Sequence, residues 1–168
     1  MILTLKPQDI VVILKLFSIK PKWSYSTLAY ELFMSASEVH ACINRSILAR
    51  LVDPSDKKPL KKAVQEFLIH GIKYVYPAEI GSIIRGMPTS YGTLPLSNFI
   101  INNGLPPVWP DSEAQTHGYE LKPLYKTVPK AANRDQRLYQ MLSLVDAIRH
   151  GSAREQKIAI EQFNILLK

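Results

Sequence analysis

The stretch Tyr25–Val52, YSTLAYELFMSASEVHACINRSILARLV, decides how the rest of the chain is read. Leu28, Ala29 and Leu32 recur at helical spacing, which predicts a helix over Tyr25–Phe33. Val39, Ile43, Ile47 and Leu48 repeat the pattern and predict a second helix over Ala36–Ala49, with these four turned inward. Between them SASE has the form of a capping box. Ser35 can accept from the third amide of the new helix while Glu38 reaches back to the amide of Ser35. Two helices joined this closely form either a plain hairpin or a helix-turn-helix. The second option requires short polar or basic groups on the outer side of the second helix. Ser37, His40, Ala41, Asn44 and Arg45 are the residues expected there. Asparagine can pair with adenine, arginine with guanine or a phosphate, and alanine leaves room for close approach. The other reading of the same residues is a helical pair that only buries its apolar sides.

Upstream, a helix is expected over Pro7–Ser18. Proline suits the first position, Asp9 suits the positive helix end, and Ile10, Ile13, Leu14 and Phe17 form one stripe. Downstream, LARLV should leave the second helix for a short strand, and KKPLKKAVQ brings most of the positive charge. Residues 57–85 hold six Lys/Arg against two Asp/Glu, whereas residues 1–56 are nearly balanced at six against five. Lys57, Lys58, Lys61 and Lys62 are therefore candidate phosphate contacts, with a solvated helix face as the plain alternative. A helix over Leu60–His70 should stop at Gly71, and IKYVYPA should be a strand with Tyr74 and Tyr76 on one face, buried against the excursion rather than stacked on bases.

Residues 79–130 are rich in Pro and Gly, with short extended pieces such as PPVWP and GYELKPLY. Trp109 and many aliphatics mark this as an ordered excursion over the core rather than a linker. The tail predicts two helices, one opening at Asn133 with Gln136 and ending at Gly151, the next capped by Ser152 with Glu155. Their stripes, and that of the first helix, could close the monomer's core or pair across a two-fold axis.

Composition bounds the function. A 46% hydrophobic share is that of a globular chain, and no apolar run approaches the length of a membrane span. MILTLKPQDI lacks the features of a signal peptide. One cysteine, Cys42, excludes an internal disulfide framework and any multi-Cys zinc site, so a cytoplasmic setting is expected. The net charge of +7 favours polyanionic partners. No phosphate-cradling glycine loop exists, and histidines 40, 70, 117 and 150 fall in different elements. His70 reads as a helix-end cap, Cys42 as a small core residue, and Asp111, Glu113 and His117 as a solvated polar turn rather than a metal site. The expectation is no enzyme, no cofactor and no metal.

The run STLAYELFMSASEVHACINRSILARLV resembles the LA-x-x-L-x-x-S-x-S-x-V to L-x-x-x-G-L-I run of bacterial winged helix-turn-helix regulators of the MarR-like type. The likeness covers about residues 7–52. It sets Leu28, Ala29, Ser35, Val39, Ile43, Leu48, Leu51 and Val52 on the family's structural positions, while Arg50 replaces the glycine that usually ends the recognition helix. FLIHGIKYVYPAEIG and RGMPTSYGTLPL are unlike ordinary members. With the tail, they are similar to a group of MarR-like bacterial proteins that carry a C-terminal extension.

The resulting expectation is a mainly α chain with a small β part: a winged helix-turn-helix core over residues 1–78, an irregular extension over 79–132 and a C-terminal helix pair over 133–168, the last a possible dimerisation element. The expected partner is double-stranded DNA, bound by a homodimeric transcriptional regulator, a repressor. The alternative is a non-catalytic protein-interaction adaptor, an antitoxin-like partner of another protein.

Overall fold

The computed structural model describes residues 4–168. It is α+β, with eight α-helices and a three-stranded sheet among the described residues. Helices α1 (Pro7–Ser18), α2 (Tyr25–Leu32) and α3 (Ala36–Leu48) follow the predicted bounds to within one residue. Ser24 caps α2 by accepting from the Thr27 amide at 3.1 Å, and Ser35 caps α3 by accepting from Glu38 at 3.1 Å. Only that half of the expected capping box forms. The Glu38 carboxylate accepts from Gln8 Nε2 at 3.0 Å instead, which ties α3 to the start of α1.

Two helix ends are closed by residues that take the left-handed conformation without being glycine. Phe33 (φ 56°) ends α2, and Arg50 (φ 60°) ends α3. At the second, the Leu51 amide donates to the Ser46 carbonyl and the Arg50 amide to Ile47, both at 2.9 Å. This is the six-to-one and five-to-two pattern that glycine usually supports. Arg50 thus fills the glycine's structural place.

A single antiparallel bridge joins Val52 to Pro59, and the loop between them leads through Leu60 into α4 (Lys61–His70). Residues Ile72–Val75 form a short helix, α5, where a strand was expected. The chain does not extend because Tyr74, Val75 and Tyr76 bond back to Gly71 and Ile72, with Gly71 between two helical turns. Tyr74 is exposed rather than buried, and Tyr76 is half-buried.

The excursion is more regular than its composition implied. Strand β1 (Ile80–Pro88) pairs antiparallel with β2 (Pro107–Pro110) and with β3 (Thr116–Leu121), while β2 and β3 pair in parallel, so the small sheet closes on itself. Gly86 and Gly118 permit this closure. A Cβ at either would stand 2.2 Å from the Trp109 carbonyl oxygen or 2.1 Å from that of Pro106.

Helix α6 (Val128–Arg134) crosses the boundary placed at residue 132, so Asn133 lies inside it, and Asp135 caps α7 (Gln136–His150) instead. Asp135 accepts from Leu138 at 3.0 Å. Helix α8 (Ala153–Leu166) starts with a complete capping box from Ser152 and Glu155. The centre of the molecule is α7, buried continuously from Met141 to Ile148 and packed on α1, α5, α6 and α8. The apolar stripes of α1 and α7 are therefore consumed inside the monomer and are not free to pair across a two-fold axis. One hydrophobic cluster runs from Ile10 through Trp109 to Phe163, spanning all three expected segments.

Candidate nucleic-acid interface

Helix α3 is held from behind. Leu28 and Leu32 of α2 and Val39 and Ile43 of α3 are fully buried and fix the angle of the pair. Beneath them lies an ion pair that periodicity could not reveal. Arg45 donates to the Asp9 carboxylate through Nε at 2.9 Å and Nη2 at 2.8 Å. Asp9 is wholly buried and Arg45 is 7% exposed. Arg45 is therefore not on the outer face, contrary to expectation, because the carboxylate on the first turn of α1 draws the guanidinium inward. The hydrogen bonds to Asp9 hold Arg45 above the usual arginine range despite the cost of burial. Cys42 lies beside it, buried, with its thiol pushed well above the ordinary range first by desolvation and then by Asp9. Such a thiol is unreactive.

The outer face keeps the other expected residues. Ser37, His40 and Asn44 are exposed and Ala41 is half-buried. Leu48 joins them. It was expected inward but is 63% exposed, because as the last residue of α3 it falls on the same side as Ala41 and Asn44. Its inward neighbours Val39 and Ile43 carry the burial, and Ile47 contributes in part. The face is thus the stripe Ser37, Ala41, Asn44 and Leu48, with His40 alongside.

His40 has neighbours that sequence reasoning did not supply. Its Nδ1 lies 3.2 Å from Asn44 Nδ2. Its ring packs on Tyr25 with centroids 5.0 Å apart, and Tyr25 meets Trp23 edge to face at 5.5 Å. A line of aromatic rings therefore runs from α3 to the connection between α1 and α2. There Trp23, Phe17, Ile19 and Lys20 line a shallow pocket with Asp56, Lys57, Lys58 and Pro59. The only signal for this in the sequence is the aromatic spacing around Ser24.

The four expected lysines divide into two pairs. Lys57 is half-buried in the loop after Val52, in a left-handed conformation (φ 57°), and Lys58 is exposed with Nζ 3.5 Å from Asp56. Lys61 and Lys62 are exposed on the first turn of α4, which has no acidic residue there and no side-chain cap. Cations at this end oppose the helix dipole, so the arrangement costs stability in the free protein.

Elsewhere, no group of three metal-ligating side chains occurs among the described residues. Asp111 accepts from the Glu113 amide at 3.0 Å in a local turn, while His117 lies on β3 opposite Arg85 rather than in that loop. His70 is exposed at the last residue of α4. The Tyr76 hydroxyl is buried without a partner, and burial together with the charge of Asp9 pushes it up to about 12. No helix among the described residues is long and apolar enough to cross a membrane. No known protein family, curated protein or solved structure matches the chain.

Proposed function

We propose that the chain is a sequence-specific DNA-binding regulator, a cytoplasmic repressor of the winged helix-turn-helix type, which inserts α3 into the major groove. One observation carries this reading. The outward side of α3 presents Ser37, His40 and Asn44 around Ala41, free of the core, while Arg45 anchors the helix from its opposite side. These are groups of the size and chemistry that approach base edges. The loop closed by the Val52–Pro59 bridge stands where a wing would follow, reduced to a single pair. Lys57, Lys58, Lys61 and Lys62 extend a cationic edge from it, and phosphates would offset the dipole cost at α4.

A homodimer is part of the proposal, because two recognition helices engage half-sites about one turn apart. Its contact must lie away from the stripes of α1 and α7. Selection of bound sequences from a random duplex library tests the whole reading. It should enrich one motif, repeated in two-fold fashion. Recovery of unbiased sequence would overturn it.

A second reading, the non-catalytic adaptor or antitoxin-like partner, is favoured by one feature. The loop before β2 exposes Ile101 at 95% and Phe99 at 47%, an apolar display more typical of a protein contact than of a free surface. An adaptor would show no preference among duplexes.

A further inference from the structure

The contact between His40 and Asn44 bears on how base readout would be set. An asparagine amide facing a histidine nitrogen can present either end, and the hydrogen-bonding state of the ring decides which. Here Asn44 Nδ2 faces His40 Nδ1 at 3.2 Å. An amide N–H in that place requires a lone pair on Nδ1, and hence a neutral ring with its proton on Nε2. The ring lies tilted on Tyr25, which meets Trp23 edge to face.

We infer that His40 is a positioning residue: through Nδ1 it fixes the orientation of the Asn44 amide, and its protonation reverses the order of donor and acceptor that Asn44 presents to a base. In the neutral state one Nδ2 hydrogen is spent on His40. The outward edge then carries Oδ1 and the second Nδ2 hydrogen, which match the N6 donor and N7 acceptor of adenine. When Nδ1 gains a proton, two donors face each other. The amide turns over so that Oδ1 accepts from Nδ1, and donor and acceptor exchange places on the outward edge. Adenine then meets a reversed pattern, so the preference for it is lost. Around His40, the titratable group packed from α2 is the Tyr25 phenol, and among the described residues no carboxylate pairs with the ring.

This inference rests on the DNA-binding reading, and the experiment separates the two. A duplex selected from the library is compared with a partner in which the A·T pair lost in Asn44→Ala selections is replaced by G·C. Competition is run at two pH values, about 8 and about 5.5. The ratio of the two affinities cancels the general gain in binding from added positive charge. The expected ratio is roughly 5- to 100-fold in favour of A·T at the higher pH, falling to near unity at the lower. His40→Gln, which cannot titrate, should give the same ratio at both. An unchanged ratio in the native protein, or a pH dependence that survives His40→Gln, would overturn the inference while leaving DNA binding intact. Absence of any preferred duplex would overturn the DNA reading itself. A readout without DNA is also available: the Asn44 side-chain amide resonances should move between the two pH values in the native protein but not in His40→Gln, and resonances that stay fixed in the native protein would count against the coupling.

Discussion

The outer face of α3 and the outer face of the β1–β3 sheet are built on the same device and display opposite chemistry. Each is fastened to the core by a buried carboxylate. Asp9 receives the charged fork of Arg45 under α3. Asp146, at the centre of α7, receives the Trp109 indole and the Thr89 hydroxyl, both at 2.7 Å, with Arg149 at 2.8 Å on its other oxygen. Outward of these anchors the two surfaces part. Helix α3 shows short polar groups, whereas the sheet and its loops show Ile83, Tyr119, Phe99 and Ile101. A buried ion pair adds little net stability over an apolar core, but removing one of its partners is costly. One small core thus holds two unlike faces, one mostly of short polar groups and one with exposed apolar side chains.

Removing an anchor should have the largest effect. Asp9→Ala removes the two-pronged partner of buried Arg45 and leaves it only Glu38, at 3.5 Å, so about 3–5 kcal/mol of stability should be lost in a denaturant titration. A loss under about 1 kcal/mol would mean that Arg45 escapes to solvent and that the face of α3 is not fixed from behind.

Acid sensitivity should follow from Asp135. Burial alone would raise its carboxyl, but hydrogen bonds from Lys15, Ser18 and the Leu138 amide, with the charge of Lys15, together hold it below the usual range. A depressed carboxyl contributes stability above its unfolded value of about 3.9, and loses it as pH falls through the lower folded value. Melting temperature should therefore drop across that window in the native protein. Asp135→Asn should melt lower at neutral pH and show a shallower acid decline. An equal decline in both would assign the acid sensitivity to other carboxylates.

The cationic edge should respond with two opposite signs. Neutralising Lys61 and Lys62 with glutamine should weaken all duplexes about equally and make the logarithmic salt dependence shallower by about 2. The same change should stabilise the free protein by about 0.3–1 kcal/mol, since it removes like charge from the start of α4. An unchanged slope would return these lysines to a solvated helix face. Of similar size, Arg50→Gly should raise stability by about 0.5–1 kcal/mol by relieving the left-handed conformation. A loss would show that the arginine side chain contributes more than the backbone strain costs.

What could be read from the sequence was what is decided locally. Helices α1, α2 and α3, the Ser24–Thr27 and Ser35–Glu38 caps seen at their starts, and the Ser152–Glu155 box all depend on residues within one turn of each other, although only the last two were anticipated from their motifs. Arg45 was misplaced because its position follows from Asp9, 36 residues away, and helical spacing alone puts it near the boundary of the face. The excursion looked irregular for the same reason. Its first and last strands pair across 30 residues or more, as Ile84 does with Gly118, and Trp109 is fixed by Asp146 of α7. Residues 72–75 carried β-branched and aromatic side chains, yet a short helix won because Gly71 sits between two helical turns and the chain bonds back onto it. In the candidate site, Ser37, His40, Ala41 and Asn44 were legible from spacing, while the Tyr25–His40 packing and the exposure of Leu48 were not.

Adjacent residues on α3 give the most direct test of the central claim, that its outward face reads bases. Asn44→Ala is to be examined by competition between the preferred duplex and a scrambled one, with a melting curve for the same protein. The account predicts a loss of discrimination of about 1–3 kcal/mol at a particular base pair, with stability within about 0.5 kcal/mol of the native protein. Arg45→Ala should do the reverse, destabilising the fold before any readout can be measured. An Asn44→Ala protein that folds normally and keeps its full preference would contradict the claim.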